Sequence, residues 1–213
     1  MKPEALAAPN ESMADSASGA LEGYVTQVFG VFSVEAEKLL RDPVELFTRA
    51  VQPVLWLLLF GEVMMKVRGV APGNVNYLDF LAAGILAQSV LFVAIFYGIA
   101  AIWERDLGVL QRYLVSPAPR SALVIGKSLA ASLRALSQAL IVYVVSILLG
   151  VHVSFAPASM LGVVGAIIIG SALFSTFSLI VACLVKTRER FMGIGQLLTM
   201  PIFFASNAIY PLS

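Results

Sequence analysis

Long uncharged stretches alternate along this chain with short charged ones. The clearest is residues 80–103, where 24 consecutive positions carry no charged side chain. A helix of that length rises about 35 Å, enough to cross the roughly 30 Å hydrocarbon layer of a bilayer. Three charged residues, Glu104, Arg105 and Asp106, follow at once. The pattern therefore predicts a membrane span that ends where this charged cluster begins.

Four more stretches predict spans of the same kind: residues 46–65, 130–150, 158–185 and 191–209. The intervening residues 66–79, 104–121 and 151–157 are expected to be connecting segments. We expect an all-α integral membrane fold, with five spans inside a transmembrane domain of residues 28–213.

The segment before the first span differs from the spans. Residues 28–41 alternate apolar and charged side chains at helical spacing, which is typical of a helix lying in the membrane interface. Asp42-Pro43 should end it, because the residue before a proline disfavours helical geometry. Residues 1–27 combine prolines, serines and acidic side chains without a long apolar run, which predicts a disordered cytoplasmic tail.

Composition supports a membrane protein and argues against a nucleic-acid-binding function. Hydrophobic residues make up 59% of the chain and charged residues 13%, about half the charged share of an ordinary soluble domain. The net charge of +1 does not suggest a nucleic-acid partner. The single cysteine, Cys183, excludes a disulfide within the chain and lies in an apolar run, so we expect it to be a packing residue.

The basic residues predict how the chain is oriented. Of the 14 lysines and arginines, all but Lys66 and Arg68 fall in three regions: up to the start of the first predicted span, between the second span and the start of the third, or between the fourth and fifth. The positive-inside rule makes that side cytoplasmic. The N-terminus is then inside, and the turn that carries His152 is outside.

One segment almost matches a phosphate-binding loop. Residues 121–128 end in Gly126-Lys127-Ser128, but Ser121 stands where the first glycine is needed, and the flanks are membrane helices rather than a strand. We therefore expect no nucleotide site here, with Lys127 anchoring the inner end of the third span. Because no carboxylate pair, metal-ligand cluster or nucleophile constellation is present in the sequence, no catalytic or metal residues are predicted.

Two sets of residues within the predicted spans have alternative interpretations. Gly162, Ala166 and Gly170 repeat at a spacing of four, which favours close helix packing. Polar side chains on the third and fourth spans are candidates to line a conduit: Arg134, Gln138, Ser171, Ser175 and Ser178. For the serines, packing is the favoured interpretation, and Arg134 is near enough to the inner end to snorkel.

The segment from residue 84 to residue 117 carries a family resemblance. An acidic-basic-acidic triplet at Glu104, Arg105 and Asp106, followed by Gly108, spaced leucines and Ser116-Pro117, resembles the ABC-2 type permease family. These are membrane subunits of bacterial ATP-driven exporters, and the daunorubicin-exporter type is similar. Residues 40–61 and 203–213 also resemble the family, which normally continues with a sixth span. We expect either a fragment or a five-span variant of that six-helix domain.

The resemblance implies partners and a coupling segment. It implies a second permease subunit, either identical or a paralogue, and ABC nucleotide-binding subunits that hold ATP and Mg²⁺, whereas this chain binds no cofactor. The segment that would contact the ATPase comprises Glu104, Arg105, Asp106, Leu107, Gly108, Leu110, Leu114, Ser116 and Pro117. Its leucines would enter a groove on the ATPase, and its charges would fix the register.

The implied function is export of a hydrophobic drug-like molecule or lipid across a bacterial plasma membrane, by a subunit that is not itself an enzyme. Export of a lipid-linked polysaccharide is an alternative. A non-transporting membrane partner of an ATPase is another.

Overall fold

A computed structural model describes residues 9–65, 77–116, 118–152 and 155–206. Every regular element among these residues is an α-helix. In chain order they are α1 (Pro9–Arg41), α2 (Pro43–Met65), α3 (Tyr77–Phe96), α4 (Gly98–Asp106), α5 (Val109–Val115), α6 (Arg120–Leu148), α7 (Pro157–Leu184) and α8 (Arg188–Ala205).

Three helical segments are long and apolar enough to cross a membrane among the described residues. They are Tyr77–Asp106, formed by α3 and α4 together, Arg120–Leu148 and Pro157–Leu184. They contain most or all of the predicted spans 80–103, 130–150 and 158–185. The all-α membrane fold predicted from the sequence is confirmed.

The other two predicted spans are helical but shorter in their apolar parts. The apolar portion of α2 is Phe47–Gly61, and α8 has 18 residues. Each contains a proline, Pro53 in α2 and Pro201 in α8. Residues 207–209 of the predicted fifth span, and residues 66–76 of the predicted loop, lie outside the described residues.

The third span begins ten residues earlier than predicted, and this difference matters for the site. The sequence placed residues 104–121 in a connecting segment and began the span at residue 130, whereas α6 begins at Arg120. Small side chains at Ala122, Gly126 and Ala130 are buried along this added part, so it can pack closely against another helix.

That neighbouring helix is α1, which also differs from expectation. Its first residue is Pro9, so residues 9–27 are helical although the sequence predicted a disordered tail; residues 1–8 lie outside the described part. The predicted interfacial segment 28–41 forms its second half. There Val28, Glu35 and Leu39 are buried, while Phe29 and Leu40 remain exposed. The buried positions are spaced by roughly helical turns, so one face of α1 packs on the bundle.

Three apolar clusters hold the bundle together. The first joins α2, α3 and α6 around Leu57, Ile85 and Val142. The second joins α3, α6 and α7, and the third joins α4, α7 and α8 around Ile102 and Phe191. The third cluster brings the end of α4 beside the end of α7 and the start of α8. This arrangement places the Glu104–Asp106 triplet where three helices meet.

Candidate coupling site

The segment predicted to contact an ATPase has two parts, a charged base and a short helix. Glu104, Arg105 and Asp106 form the last turn of α4, and α5 follows after the turn Leu107-Gly108. Gly108 has φ = 71°, a left-handed conformation that costs other L-residues about 1–2 kcal/mol. Nothing lies within 4 Å of a methyl group placed there, so the backbone angle rather than space requires glycine.

Glu104 points into the protein and is only 7% exposed. Its carboxylate accepts hydrogen bonds from the ammonium groups of Lys127 on α6 and Lys38 on α1, the latter at 3.0 Å. Removing a carboxylate from water costs several kcal/mol unless opposite charges and hydrogen bonds replace the lost solvation. The two lysines supply that replacement from two different helices.

Glu35 on α1 extends the same network. We call Glu35, Lys38, Glu104, Lys127 and Arg134 the buried ion cluster; its edge is Lys38, whose side chain is 46% exposed. Glu35 Oε1 lies 2.9 Å from Lys38 Nζ and 3.4 Å from Lys127 Nζ, and its Oε2 lies 3.3 Å from an Arg134 nitrogen. Burial acts to raise the pKa of Glu35, but the positive charges of Lys127 and Lys38 outweigh it and lower that pKa from 4.5 to about 2. Burial acts to lower the pKa of Lys38, but its bonds to the two carboxylates raise it above 10.5.

Close contact between α1 and α6 makes this cluster possible. A methyl group at Gly126 would lie 2.7 Å from Val31 Cβ and 3.0 Å from the carbonyl oxygen of Val28. Only glycine allows the two backbones to approach this closely, which brings Glu35 within reach of Lys127. The Gly126-Lys127-Ser128 sequence therefore serves helix packing and charge pairing in this fold.

Arg105 contacts the end of α7 rather than α1 or α6. Its guanidinium donates hydrogen bonds to the carbonyl oxygens of Val185 at 3.0 Å, Lys186 at 2.8 Å and Ala182 at 3.3 Å. These oxygens lie at and just beyond the C-terminus of α7, where carbonyls lack helical partners and the helix dipole is negative. Arg105 therefore caps α7.

Asp106 reaches the beginning of α8. Its Oδ2 accepts a hydrogen bond from Arg188 at 3.0 Å, and the Arg188 guanidinium lies 3.3 Å from the centre of the Trp103 ring. A cation over an aromatic face is stabilised by the ring's electron density. The three charges of the triplet thus hold four helices: Glu104 holds α1 and α6, Arg105 holds α7, and Asp106 holds α8.

The helix that follows the triplet has an exposed apolar side. No residue of α5 is buried, and Leu107 and Leu114 are 70% and 52% exposed. Leu110 is half-buried, while Ser116 closes the helix by donating from its hydroxyl to the Tyr113 carbonyl at 2.7 Å. Pro117 lies outside the described residues.

Two expectations about charge need correction. The sequence suggested that the triplet's charges are free to engage another protein, but each has partners within this chain, and Glu104 is buried. Lys127 was expected to anchor the inner end of a span, yet it is only 3% exposed inside the buried ion cluster. Both errors came from starting the third span at residue 130, whereas α6 begins at Arg120 and α1 packs against its first half.

The polar residues proposed for a conduit lie in three kinds of surroundings: the serines in helix contacts, Arg134 in the ion cluster, and Gln138 at a cavity. Ser171 and Ser178 are buried in contacts between helices: Ser171 bonds to Ser132 at 2.9 Å, and Ser178 accepts from the Gly98 N–H at 2.9 Å. Ser175 bonds to a carbonyl of its own helix, at Ala172. Arg134 belongs to the buried ion cluster, whereas Gln138 lines a cavity.

The small-residue repeat on α7 is not closely packed, and Ala166 and Gly170 line a cavity of about 530 Å³ beside α3 and α6. Gly162 and Ala166 are exposed, and no atom lies within 4 Å of a methyl group placed at Gly162 or Gly170. The repeat therefore does not pack closely against another described helix of this chain. The sequence had favoured helix packing for this repeat, and the described helices do not supply such a contact at Gly162 or Gly170.

Comparison with known proteins decides the family. The model of the family described as "ABC-2 type transporter" matches residues 26–213, nearly the whole chain. The chain belongs to the ABC-2 type transporter family. Within this ABC-2 chain, the match includes the triplet, the buried ion cluster and all of α5.

Two algal proteins and one bacterial protein show the range of the similarity. The chain is 29% identical over 185 residues to "Putative transport permease ycf38" of Cyanophora paradoxa, covering 82% of this chain and 61% of that protein. It is 24% identical over 181 residues to the protein of the same name in Porphyra purpurea, covering 81% and 60%. It is 27% identical over 168 residues to "Daunorubicin resistance ABC transporter permease protein DrrB1" of Streptomyces coeruleorubidus, covering 78% and 58%.

The chain thus spans about three-fifths of the length of these relatives. No solved structure matches it.

The pKa shifts of the buried ion cluster predict how its stability depends on pH. The contribution of Glu35, whose folded pKa is lowered, should be complete above about pH 4.5 and disappear as the pH falls towards 2. The contribution of Lys38, whose folded pKa is raised, should be complete below pH 10.5 and decline above it. Thermal unfolding in lipid nanodiscs should therefore show an acid-side loss that Glu35→Gln makes shallower. Glu37→Gln, which alters an exposed pair on the same helix, is the control. An unchanged acid limb in Glu35→Gln would contradict the assignment.

Proposed function

We propose that this chain is the membrane subunit of an ATP-driven exporter and that a separate ABC subunit binds Mg²⁺ and hydrolyses ATP. Membership in the ABC-2 family supports the transporter role. The similarity to a permease named for daunorubicin resistance supports export of a hydrophobic, drug-like molecule or lipid. We propose further that the chain acts with a second permease subunit, either a copy of itself or a paralogue.

The observation that carries the mechanism is how the triplet joins α5 to the bundle. Leu107 and α5 present exposed apolar side chains, and the base of this segment is fastened through Glu104, Arg105 and Asp106 to four other helices. Force applied to α5 by an ATPase would reach α1, α6, α7 and α8 through short, charge-assisted contacts. Such contacts suit a rigid-body shift of packed helices better than a flexible connection would.

In this mechanism, the apolar side chains and the charges of the segment have separate roles, whereas the sequence suggested that both contact the ATPase. The apolar side chains of α5 bind the ATPase, and the triplet passes the movement inward. Arg112, on α5 and exposed, is the charge best placed to set the register of docking.

The two alternative functions, polysaccharide export and a non-transporting role, predict different features from those of a small-molecule exporter. A lipid-linked polysaccharide needs a wide path, whereas two cavities among the described residues have volumes of about 530 and 360 Å³, the size of small-molecule sites. A non-transporting membrane partner would bind an ATPase through the exposed α5 but would have no cargo site of its own. The drug-like or lipid cargo therefore remains the proposal.

Orientation follows from where the charges lie. The buried ion cluster and α5 are at one end of the bundle, and His152, whose backbone N–H bonds to Asp79 at 2.9 Å, is at the other. In a bacterial plasma membrane, the basic end and the N-terminus should face the cytoplasm. With Cys183 replaced by serine, a membrane-impermeant maleimide should label His152→Cys but not Arg112→Cys in intact cells. Labelling of position 112 alone would reverse the proposed topology.

Docking of the ATPase is tested on α5. Leu114→Gln replaces an exposed apolar side chain, so it should leave folding intact while weakening co-purification with the ATPase at least tenfold, or about 1.4 kcal/mol. The matched control is Leu148→Gln, the same change at a 79% exposed position at the opposite end of the bundle. Equal ATPase recovery and transport for Leu114→Gln and wild type would remove α5 from the docking surface.

A further inference from the structure

A cavity of about 360 Å³ lies among α2, α3, α6 and α8, beside the buried ion cluster. Its deep wall includes Gln88 on α3 and Gln138 on α6, both buried. Gln52 on α2 and Gln196 on α8 are exposed and line it nearer the surface. Four amide side chains from four helices therefore face a space of the size that binds small molecules.

Gln138 is the observation that points to a ligand. The residue is 1% exposed, and neither its Nε2 nor its Oε1 has a hydrogen-bond partner among the described residues. Burying an amide without partners costs roughly 1–3 kcal/mol in proteins, and an apolar residue at this position would avoid that cost. An amide kept there is available to bond a molecule that enters the cavity.

The remaining lining indicates the chemistry of that molecule. Trp56, Phe92 and Phe96 contribute flat aromatic faces. Arg49 is the charged residue among those lining the cavity, and it is already paired with Glu45 at 2.7 Å. With no unpaired carboxylate in the lining, a cation gains little there; rings and amides favour an uncharged molecule.

We propose that this cavity is a cargo-binding site for an uncharged, planar aromatic amphiphile whose polar atoms bond to Gln138 and Gln88. This inference rests on the proposed export function and specifies where within one chain the cargo is held. Gln138 lies about 6 Å along α6 from Arg134, which belongs to the buried ion cluster. Arg49, Phe96 and Ile99 line both this cavity and the neighbouring pocket that contains Glu35 and Glu104. The site is thus adjacent to the helices that α5 would move.

A pair of probes separates hydrogen bonding from simple partition into apolar space. Acridone has three fused rings with one carbonyl and one N–H, and anthracene has the same shape without polar groups. Binding to the full-length protein in lipid nanodiscs is followed by probe fluorescence, with empty nanodiscs subtracted. Acridone should bind saturably and more tightly than anthracene.

The variants assign that binding to the amides. Gln138→Leu should weaken acridone binding at least tenfold, Gln88→Leu should weaken it several-fold, and neither should weaken anthracene. Gln138→Leu should also raise the melting temperature of the probe-free protein, because a buried, unpartnered amide is removed. Gln27→Leu is the matched control, since Gln27 has a buried, unpartnered oxygen but does not line this cavity.

Each outcome bears on the site separately from the export function. Saturable acridone binding that depends on Gln138 supports the site. If the complex of this chain with its ATPase then moves no acridone into vesicles, that result counts against export but not against the site. No saturable binding would mean that the cavity holds only water, and it would overturn the proposal. Equal acridone affinity in wild type, Gln138→Leu and Gln88→Leu would overturn it as well.

Discussion

Glu104 carries a negative charge at a place that water scarcely reaches, so the helices around it must neutralise that charge. Lys127 and Lys38 do so from α6 and α1, and Glu35 completes the network by pairing with both lysines. Removing one member of a buried pair typically costs about 3–5 kcal/mol, because the other charge is left without compensation. The positions of α1, α4 and α6 relative to one another are therefore coupled through this cluster.

This coupling connects the exposed helix α5 to the interior of the helix bundle. Glu104 lies in the last turn of α4, shortly before α5. The pocket that contains Glu35, Glu104 and other members of the cluster shares Arg49, Phe96 and Ile99 with the cavity that Gln138 lines. A shift of α4 would separate Glu104 from Lys127 at a position that water scarcely reaches. The helices are therefore expected to switch from one packed arrangement to another rather than deform gradually. Docking at α5 and the shape of the cavity would then respond to the same movement.

Much of the fold could be predicted from the sequence. Long uncharged stretches determined the all-α membrane class and three spans, because a bilayer requires long apolar helices. The triplet was also identified as important, through its resemblance to a family pattern. The start of α6 was missed because the charged residues Arg120 and Lys127 were taken to precede the membrane span.

The roles of individual charges could not be predicted, since they depend on contacts between distant parts of the chain. Glu35 and Lys127 are 92 residues apart, and their pairing depends on the close approach of α1 at Gly126. A signal was present: Glu35 lies on the same face as the buried apolar residues Val28 and Leu39 of α1, where a charge needs a partner. Gln138 was noted as polar within a span, but its lack of partners is visible only in three dimensions.

The central claim is that Glu104 and Lys127 form an energetically coupled buried pair, and a double-mutant cycle tests it most directly. Glu104→Gln, Lys127→Gln and the double variant are compared by unfolding in lipid nanodiscs, with Glu37→Gln and Arg41→Gln, an exposed pair on α1, as the control cycle. The account predicts that each single change in the buried pair is costly and that the double variant loses about 1–3 kcal/mol less than their sum. The control cycle should be additive within about 0.5 kcal/mol. Additivity in the buried cycle as well would contradict the claim.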